Sequence, residues 1–449
     1  MRAKNDPQMT FFEGYADHTM GRELEAISDV LDQFPEFLDW IIADLCPGGL
    51  KNTGRPGMSV ESILRVAVVK KRLGCSFREL EFHLADSRSF HTFSRLHGVC
   101  PDFTVLQRHI SNIQSTTWER INRCIIRDAA ARGIEKGRIV RGDSTVTETH
   151  IHRPSDSSLI WDSVRVMDRL MGWIRERYGK KHFVYHNHTR IAKKLDLQIS
   201  VSRSLAKKKK AYKRLLNSAG ETVAELNVAL NVVTRQIATD PEVSAWVAAT
   251  RHYLPLIVQV MSQTKRRVVA GEEVPASEKT VSLFEEHTDI IVKGRREVQF
   301  GHKVNLTSGR SGMILDMLIE EGNPADATRV IPLLERQTEI FGRPPRQMAF
   351  DGCYTSKENL AKAKELGVKD IAFHKKRGLK IRDMAKSEWV YKKLRAFRAG
   401  IEGNIGTLKT KYGFRRCNWK GFEHFKSWLW GHVVVYNLFH LVRLEANVA

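Results

Sequence analysis

With 449 residues, 42% of them hydrophobic, the chain is long enough for two or three packed domains and too apolar for a disordered one. Its 73 Lys and Arg against 51 Asp and Glu leave a net charge of +22, which favours a polyanionic partner, nucleic acid before an anionic membrane surface. No apolar run of about 18 residues predicts a membrane span, no signal-peptide pattern is expected, and six scattered cysteines without a CxxC pair suit reduced thiols and argue against a zinc module.

Residues 1–33 are polar and carry few strong signals. From Phe34 to about Ile134 the pattern is helical, broken by turn chemistry. Ser59 precedes a helix with the apolar face Ile63, Leu64, Val66, Ala67, Val68 and Val69, ending in Lys70-Lys71-Arg72-Leu73-Gly74. Ser76 and Glu79 have the spacing of a capping box for a helix through residues 80–84. Asp102 or Thr104 caps a further helix, 105–110, expected to expose Arg108 and His109. Short helices, tight joints and a late basic helix fit a helix-turn-helix, and equally a small helical domain that binds nothing.

At Arg138-Ile-Val-Arg-Gly-Asp143-Ser-Thr-Val-Thr147 the β-branched residues favour a strand. A carboxylate within such a strand is costly to bury alone. Asp143 therefore faces solvent, pairs with a base, or holds a metal, the last only if other carboxylates converge on it. His150 and His152, at i and i+2, read either as metal ligands on one side of a strand or as polar residues near a loop. Asp156 or Asp162 is expected to cap the helix carrying Val164, Val166, Met167, Leu170 and Met171.

Residues 164–285 form a long, helical, basic tract. Leu195, Leu197, Ile199 and Val201 give way to Lys207, Lys208, Lys209 and Lys210, and apolar spacing resumes at Leu226, Leu230, Val233 and Ile237. A lysine run is ordinarily a solvated face; in a net-basic chain it also suits phosphate contact without sequence preference. Tyr185-His186-Asn-His188 is a weak metal pattern. Extended character returns over 289–306, where two runs flank the turn at Gly294 as in a hairpin, and again over 313–319. Residues 326–341 read as a helix with Pro332 in its first turn, and Gly342 stops it. Short strands at 347–350 and 370–373 flank a helix capped by Ser356. Alternating strands and helices argue for an α/β domain around a mixed sheet.

Asp351 follows the strand at 347–350, at the edge where α/β sheets often place their sites. Arg398, Glu402 and Lys409 have offsets of four and seven, which put all three on one helix face. Gly400, Gly403 and Gly406 weaken that helix by up to about 1 kcal/mol each, which points to close approach by a ligand or backbone.

Together, Asp143-Ser-Thr, Asp351-Gly-Cys-Tyr354, Arg398-x3-Glu402-x6-Lys409 and Phe300-Gly-His-Lys303 resemble the DDE transposases of bacterial insertion sequences. Thr53-Gly-Arg-Pro56-Gly-Met58 through Phe93 resembles their amino-terminal domain. Two features depart from the pattern: Arg395 stands where the family often has Tyr, and the large insert follows the first strand. The resemblance implies an α/β ribonuclease-H-like mixed-sheet catalytic core, an all-α N-terminal domain and a helical insertion after the first core strand. The corresponding boundaries are 1–134 for the helical DNA-binding domain, 135–163 and 286–449 for the core, and 164–285 for the basic insertion. It also implies that Asp143, Asp351 and Glu402 are catalytic and hold Mg²⁺, with Mn²⁺ as a substitute, and that no organic cofactor is needed. Arg398, Lys409, Lys303, Arg108 and the lysines at 207–210 are then the expected DNA contacts. The expected partners are double-stranded DNA, as terminal inverted repeats and target, and a second copy of the chain, in a bacterial cytoplasm beside the nucleoid and away from membranes. Two other readings stay open: a metal-dependent nuclease that never joins strands, and an inactive transposase-derived DNA-binding protein. A nucleotide-driven motor is disfavoured, since there is no GxxxxGK[ST].

Overall fold

The computed structural model describes residues 14–49, 57–98, 100–235, 240–293 and 297–446. The motif residues 53–56, Ile237 and the turn at Gly294 lie outside the described residues. Helices α1 (Thr19–Asp32), α2 (Glu36–Leu45), α3 (Val60–Leu73), α4 (Phe77–Asp86), α5 (Arg88–Phe93), α6 (Phe103–Ser111) and α7 (Ser115–Ala131) lead into strand β1 (Ile139–Glu148). Next come α8 (Asp156–Tyr178), α9 (Thr189–Val201), α10 (Leu205–Arg235), α11 (Pro241–Thr264), β2 (Asp289–Lys293), β3 (Glu297–Ser308) and β4 (Ile314–Ile319). The chain continues through α12 (Val330–Phe341), β5 (Gln347–Phe350), α13 (Lys357–Glu365), β6 (Asp370–Phe373), α14 (Ile381–Met384), α15 (Glu388–Lys411) and α16 (Phe422–Ala446). Contacts divide the molecule into two compact units, residues 1–150 with 301–449, and residues 151–300.

Local chemistry sets many of these boundaries. Ser59 caps α3 by accepting from the Ser62 N–H, and Gly74 ends it in the left-handed conformation. Both bonds of the Ser76–Glu79 capping box form at the start of α4. Asp102, not Thr104, caps α6, its carboxylate accepting from the Thr104 N–H at 2.7 Å. The start of α8 corrects the sequence reading. Its cap is Ser155, whose extended backbone (φ −129°) leaves the hydroxyl free to accept from the Ser158 N–H, whereas Asp156 is already helical. Asp162 lies buried further along α8 and accepts from Arg165 at 2.9 Å.

In the first unit the sheet is mixed. β1 runs antiparallel to β3, with Asp143 opposite Leu306, and β4 lies antiparallel on the other side of β3. β5 runs parallel to β1, with Gly142 opposite Phe350, and β6 runs parallel to β5. Parallel neighbours need crossover connections, and α13 supplies the one from β5 to β6. Helices of residues 19–131, the sheet and α16 share one hydrophobic core. Trp118, Ile121 and Ile125 on α7 are fully buried in it, each contributing about 1.5–3 kcal/mol by leaving water. α16 is buried almost all round, which accounts for its apolar sequence; among the described residues no helix is long and apolar enough to cross a membrane. Within α16 the Asn437 amide closes a polar path through this core. It accepts from the Ile314 N–H at 2.9 Å and donates to the Ile314 carbonyl at 2.7 Å and to Asn122 of α7 at 2.8 Å.

The second unit packs α8–α11 around its own core, including Met167, Leu195, Ile199, Leu215, Leu226 and Ile257. The Trp246 indole donates to the Leu170 carbonyl at 2.8 Å and joins α11 to α8.

Candidate active site

β1 alternates its side chains, so Arg141 and Asp143 share a face and Gly142 points the other way. A Cβ at Gly142 would overlap the Phe350 ring of β5, so the glycine lets the two parallel strands keep their register. α15 is fastened to β1 by Arg141. Its guanidinium donates to the Phe397 carbonyl and to Asn404 Oδ1, both at 3.0 Å, and lies 4.7 Å from the Phe397 ring centre. Desolvation lowers its pKa from the ordinary arginine value. A Cβ at Gly400 would overlap this guanidinium, whereas Gly403 and Gly406 face open space. The close approach expected of these glycines is thus a side chain of the protein at Gly400.

The clamp brings Arg398 to Asp143. Its Nη1 lies 3.1 Å from Asp143 Oδ2 and 3.6 Å from Asp351 Oδ1, and its Nη2 pairs with Glu402 one turn further along α15. One guanidinium therefore touches three carboxylates drawn from positions 143, 351 and 402. The side chains grade outward, with 18%, 36% and 62% exposed for Asp143, Asp351 and Glu402. Asp143 also accepts from the Ser144 N–H at 2.8 Å. Asp351 follows Phe350, the partner of Gly142, so strand register sets it beside Asp143. The turn after it is held by buried Tyr354, whose hydroxyl donates to Asn305 of β3 at 2.6 Å while its ring stacks on Phe350. Burial first, then the carboxylates of Asp326 and Asp143, push the Tyr354 pKa well up and keep it a donor.

The other sequence candidates are placed as follows. Lys409 is half-buried on α15. Lys303 turns inward: its ammonium donates to the Pro324 carbonyl at 2.7 Å and to Asp326 at 3.2 Å. Arg108 is exposed near the end of α6, and Lys207, Lys209 and Lys210 are exposed on α10 with Lys208 half-buried. β1 stops at Glu148, so His150 and His152 are loop residues and not strand neighbours; His152 lies 3.6 Å from Asp162. His186 meets Glu225 at 2.6 Å, and His188 meets Glu221 and Thr222, both at 3.1 Å.

Three features escaped the sequence reading: Arg141, Asn404 and the exposed loop His374-Lys375-Lys376-Arg377. That loop stands beside Asp351, since the His374 N–H donates to the Phe350 carbonyl at 3.0 Å and Thr355 donates to the Lys375 carbonyl at 2.8 Å. The available signals were the spacing of Arg141 two before Asp143, and a cation run directly after β6.

Among the described residues no three Asp, Glu, His or Cys side chains stand in a metal-holding arrangement. The three carboxylates close instead on Arg398. As a donor set they still fit a hard divalent cation: oxygen only, and gathered round one positive charge.

A family model described as a transposase DDE domain matches residues 283–438, and one described as a transposase domain (DUF772) matches residues 15–112. Both matched domains are typical of the DDE-type transposases of bacterial insertion sequences. No curated protein and no solved structure matches it. The DDE match takes in Asp351, Arg398, Glu402 and Lys409, while Asp143 lies outside it and joins them through the pairing of β1 with β3 and β5. A DDE domain implies a ribonuclease-H-like core, and the transposase has a mixed sheet with α15 fastened to its central strand β1.

Proposed function

We propose that the transposase cleaves the ends of its element and joins the freed 3′-OH to target DNA, with Asp143, Asp351 and Glu402 holding two Mg²⁺ ions, or Mn²⁺ in their place. The observation carrying this reading is the convergence of those three carboxylates on one positive point. When bound, two divalent cations activate the attacking oxygen and stabilise the leaving one. In the first reaction water adds to phosphorus, the bond to the 3′ oxygen breaks, and that oxygen leaves with a proton as the element's 3′-OH. In the second the 3′-OH adds to a target phosphorus and displaces a target 3′ oxygen. Asp143, the least exposed of the three, anchors the site; Asp351 and Glu402 close it from the strand end and the helix. Arg398, released from the carboxylates, faces the scissile phosphate together with Lys409, and Lys375, Lys376 and Arg377 hold the neighbouring backbone by charge.

Residues 1–134 serve as the DNA-binding domain, with Arg108 on its exposed side, and 135–163 with 286–449 as the catalytic core. The segment 164–285 contributes phosphate contacts through Lys207–Lys210. Double-stranded DNA, as terminal inverted repeats and target, is the substrate. Two copies of the chain act on paired ends, in the bacterial cytoplasm at the nucleoid. The test is strand cleavage of a duplex carrying the sequences that flank the gene, in Mg²⁺, by the parent and by D143N, D351N and E402Q. Cleavage by the parent alone, with joining of a pre-cut end, supports the reading. Cleavage without joining makes the protein a nuclease, and cleavage retained in any variant removes that carboxylate from the site.

A further inference from the structure

We propose that the elbow between α9 and α10 is a DNA-bending wedge: its exposed apolar side chains enter the minor groove while the cations around them take the flanking phosphates. α9 buries Ala192, Leu195 and Ile199 in the core of its unit. The opposite face carries Arg190, Lys193 and Lys194 around Leu197 and Val201, which are 64% and 73% exposed. After Ser202, whose extended backbone ends α9, α10 opens on Leu205 at 77% exposure. Lys207, Lys209 and Lys210 then stay exposed while Ala211, Tyr212 and Leu215 turn inward.

Between residues 190 and 214 there are ten Lys and Arg against one acid, Asp196. Among the described residues none of the ten is ion-paired; the acids nearby are engaged elsewhere, Glu221 with His188 and Glu225 with His186. The charge fits a polyanion, but charge alone gives no reason for Leu197, Val201 and Leu205 to stand in water beside the less exposed Ile191. A duplex offers them one desolvated seat, between base pairs opened from the minor groove, where Leu and similar wedges unstack a step and kink the axis. The absence of aromatic residues at these exposed positions argues against a stacking platform for single strands. An interfacial membrane helix segregates its apolar and basic faces, whereas here the apolar groups lie amid the cations and the segregated apolar face is already buried.

This inference rests on the reading of the protein as one that acts on DNA. The experiment uses the full chain without divalent metal and a 30-bp duplex (roughly three helical turns) labelled at both ends, with bending read by energy transfer and affinity by titration at several salt concentrations. L197A/V201A/L205A, at exposed positions, is expected to fold, to keep the salt slope, to lose the bend and to bind about tenfold more weakly. K207A/K208A/K209A/K210A is expected to reduce the salt slope by about 3 to 4. A triple variant that bends DNA like the parent overturns the wedge, as does an unchanged slope in the quadruple variant. So does binding to phosphatidylserine vesicles that competes with DNA and vanishes in the triple variant. If the bend is absent while end cleavage persists, only the wedge falls; if no DNA binds at all, the proposed function falls with it.

Discussion

Replacing Arg398 by Gln removes the cation that three carboxylates share, and its consequences are calculable from their burial. The Asp143 pair is the least solvated, with side chains 11% and 18% exposed, and a charge-assisted bond there contributes about 1.5–3 kcal/mol. The Glu402 pair stands on an open helix face and contributes about 0.3–0.5 kcal/mol after solvent screening. The metal-free R398Q protein is therefore expected to lose roughly 2–3 kcal/mol, and to melt on the order of 5 °C lower. A divalent cation bound at the proposed site would displace Arg398 in the parent and nothing in the variant. If about 2 kcal/mol of pairing is given up on binding, Mn²⁺ affinity in R398Q should rise roughly 30-fold. Thermal unfolding with and without Mn²⁺, and a titration of free Mn²⁺ by electron paramagnetic resonance, read both quantities. A variant as stable as the parent without metal, binding Mn²⁺ no more tightly, would refute the shared-cation argument.

Other expectations follow from single contacts. Gly400→Ala should displace Arg141, loosen α15 and lower end cleavage while DNA binding persists; Gly403→Ala meets open space and should stabilise the helix by up to about 1 kcal/mol, both read by unfolding and cleavage assays. Asp316 is fully buried against Arg336, its pKa raised by desolvation, and Asp316→Ala leaves that guanidinium without its main partner; denaturant unfolding should show a loss of about 3–5 kcal/mol. Lys71 is buried over the Trp118 and Trp419 rings, and burial pulls its pKa from 10.5 to about 7. The unfolded chain holds that proton up to a higher pH, so stability should rise with pH from about 7 toward 10, with the full penalty present below 7. Lys71→Met should flatten that rise, measured as guanidinium midpoints across the range.

Much of the candidate site is legible in the sequence because it rests on short-range rules. Strand alternation gives Asp143 its face, the i, i+4 relation joins Arg398 to Glu402, and turn chemistry places Asp351 after its strand. What the sequence does not carry is tertiary. Nothing local says that Arg141 reaches α15, that Gly400 is vacant to admit it, or that the carboxylates meet Arg398. The partners of Lys303 are tertiary in the same way. Its charge suggested a phosphate contact, and strand pairing turns it inward toward Asp326, a partner 23 residues away. At α8 the error was one position, since Ser155 and Asp156 are both good caps and only backbone conformation separates them.

The most direct measurement replaces Mg²⁺ by Fe²⁺ and lets ascorbate and peroxide generate hydroxyl radicals at the bound ion, which cut the nearest polypeptide. Fragment ends are predicted at three places, near residues 143, 351 and 402, all lost together in D143N. Cuts confined to one of the three, or persisting at 351 and 402 when Asp143 is gone, would contradict a single shared centre.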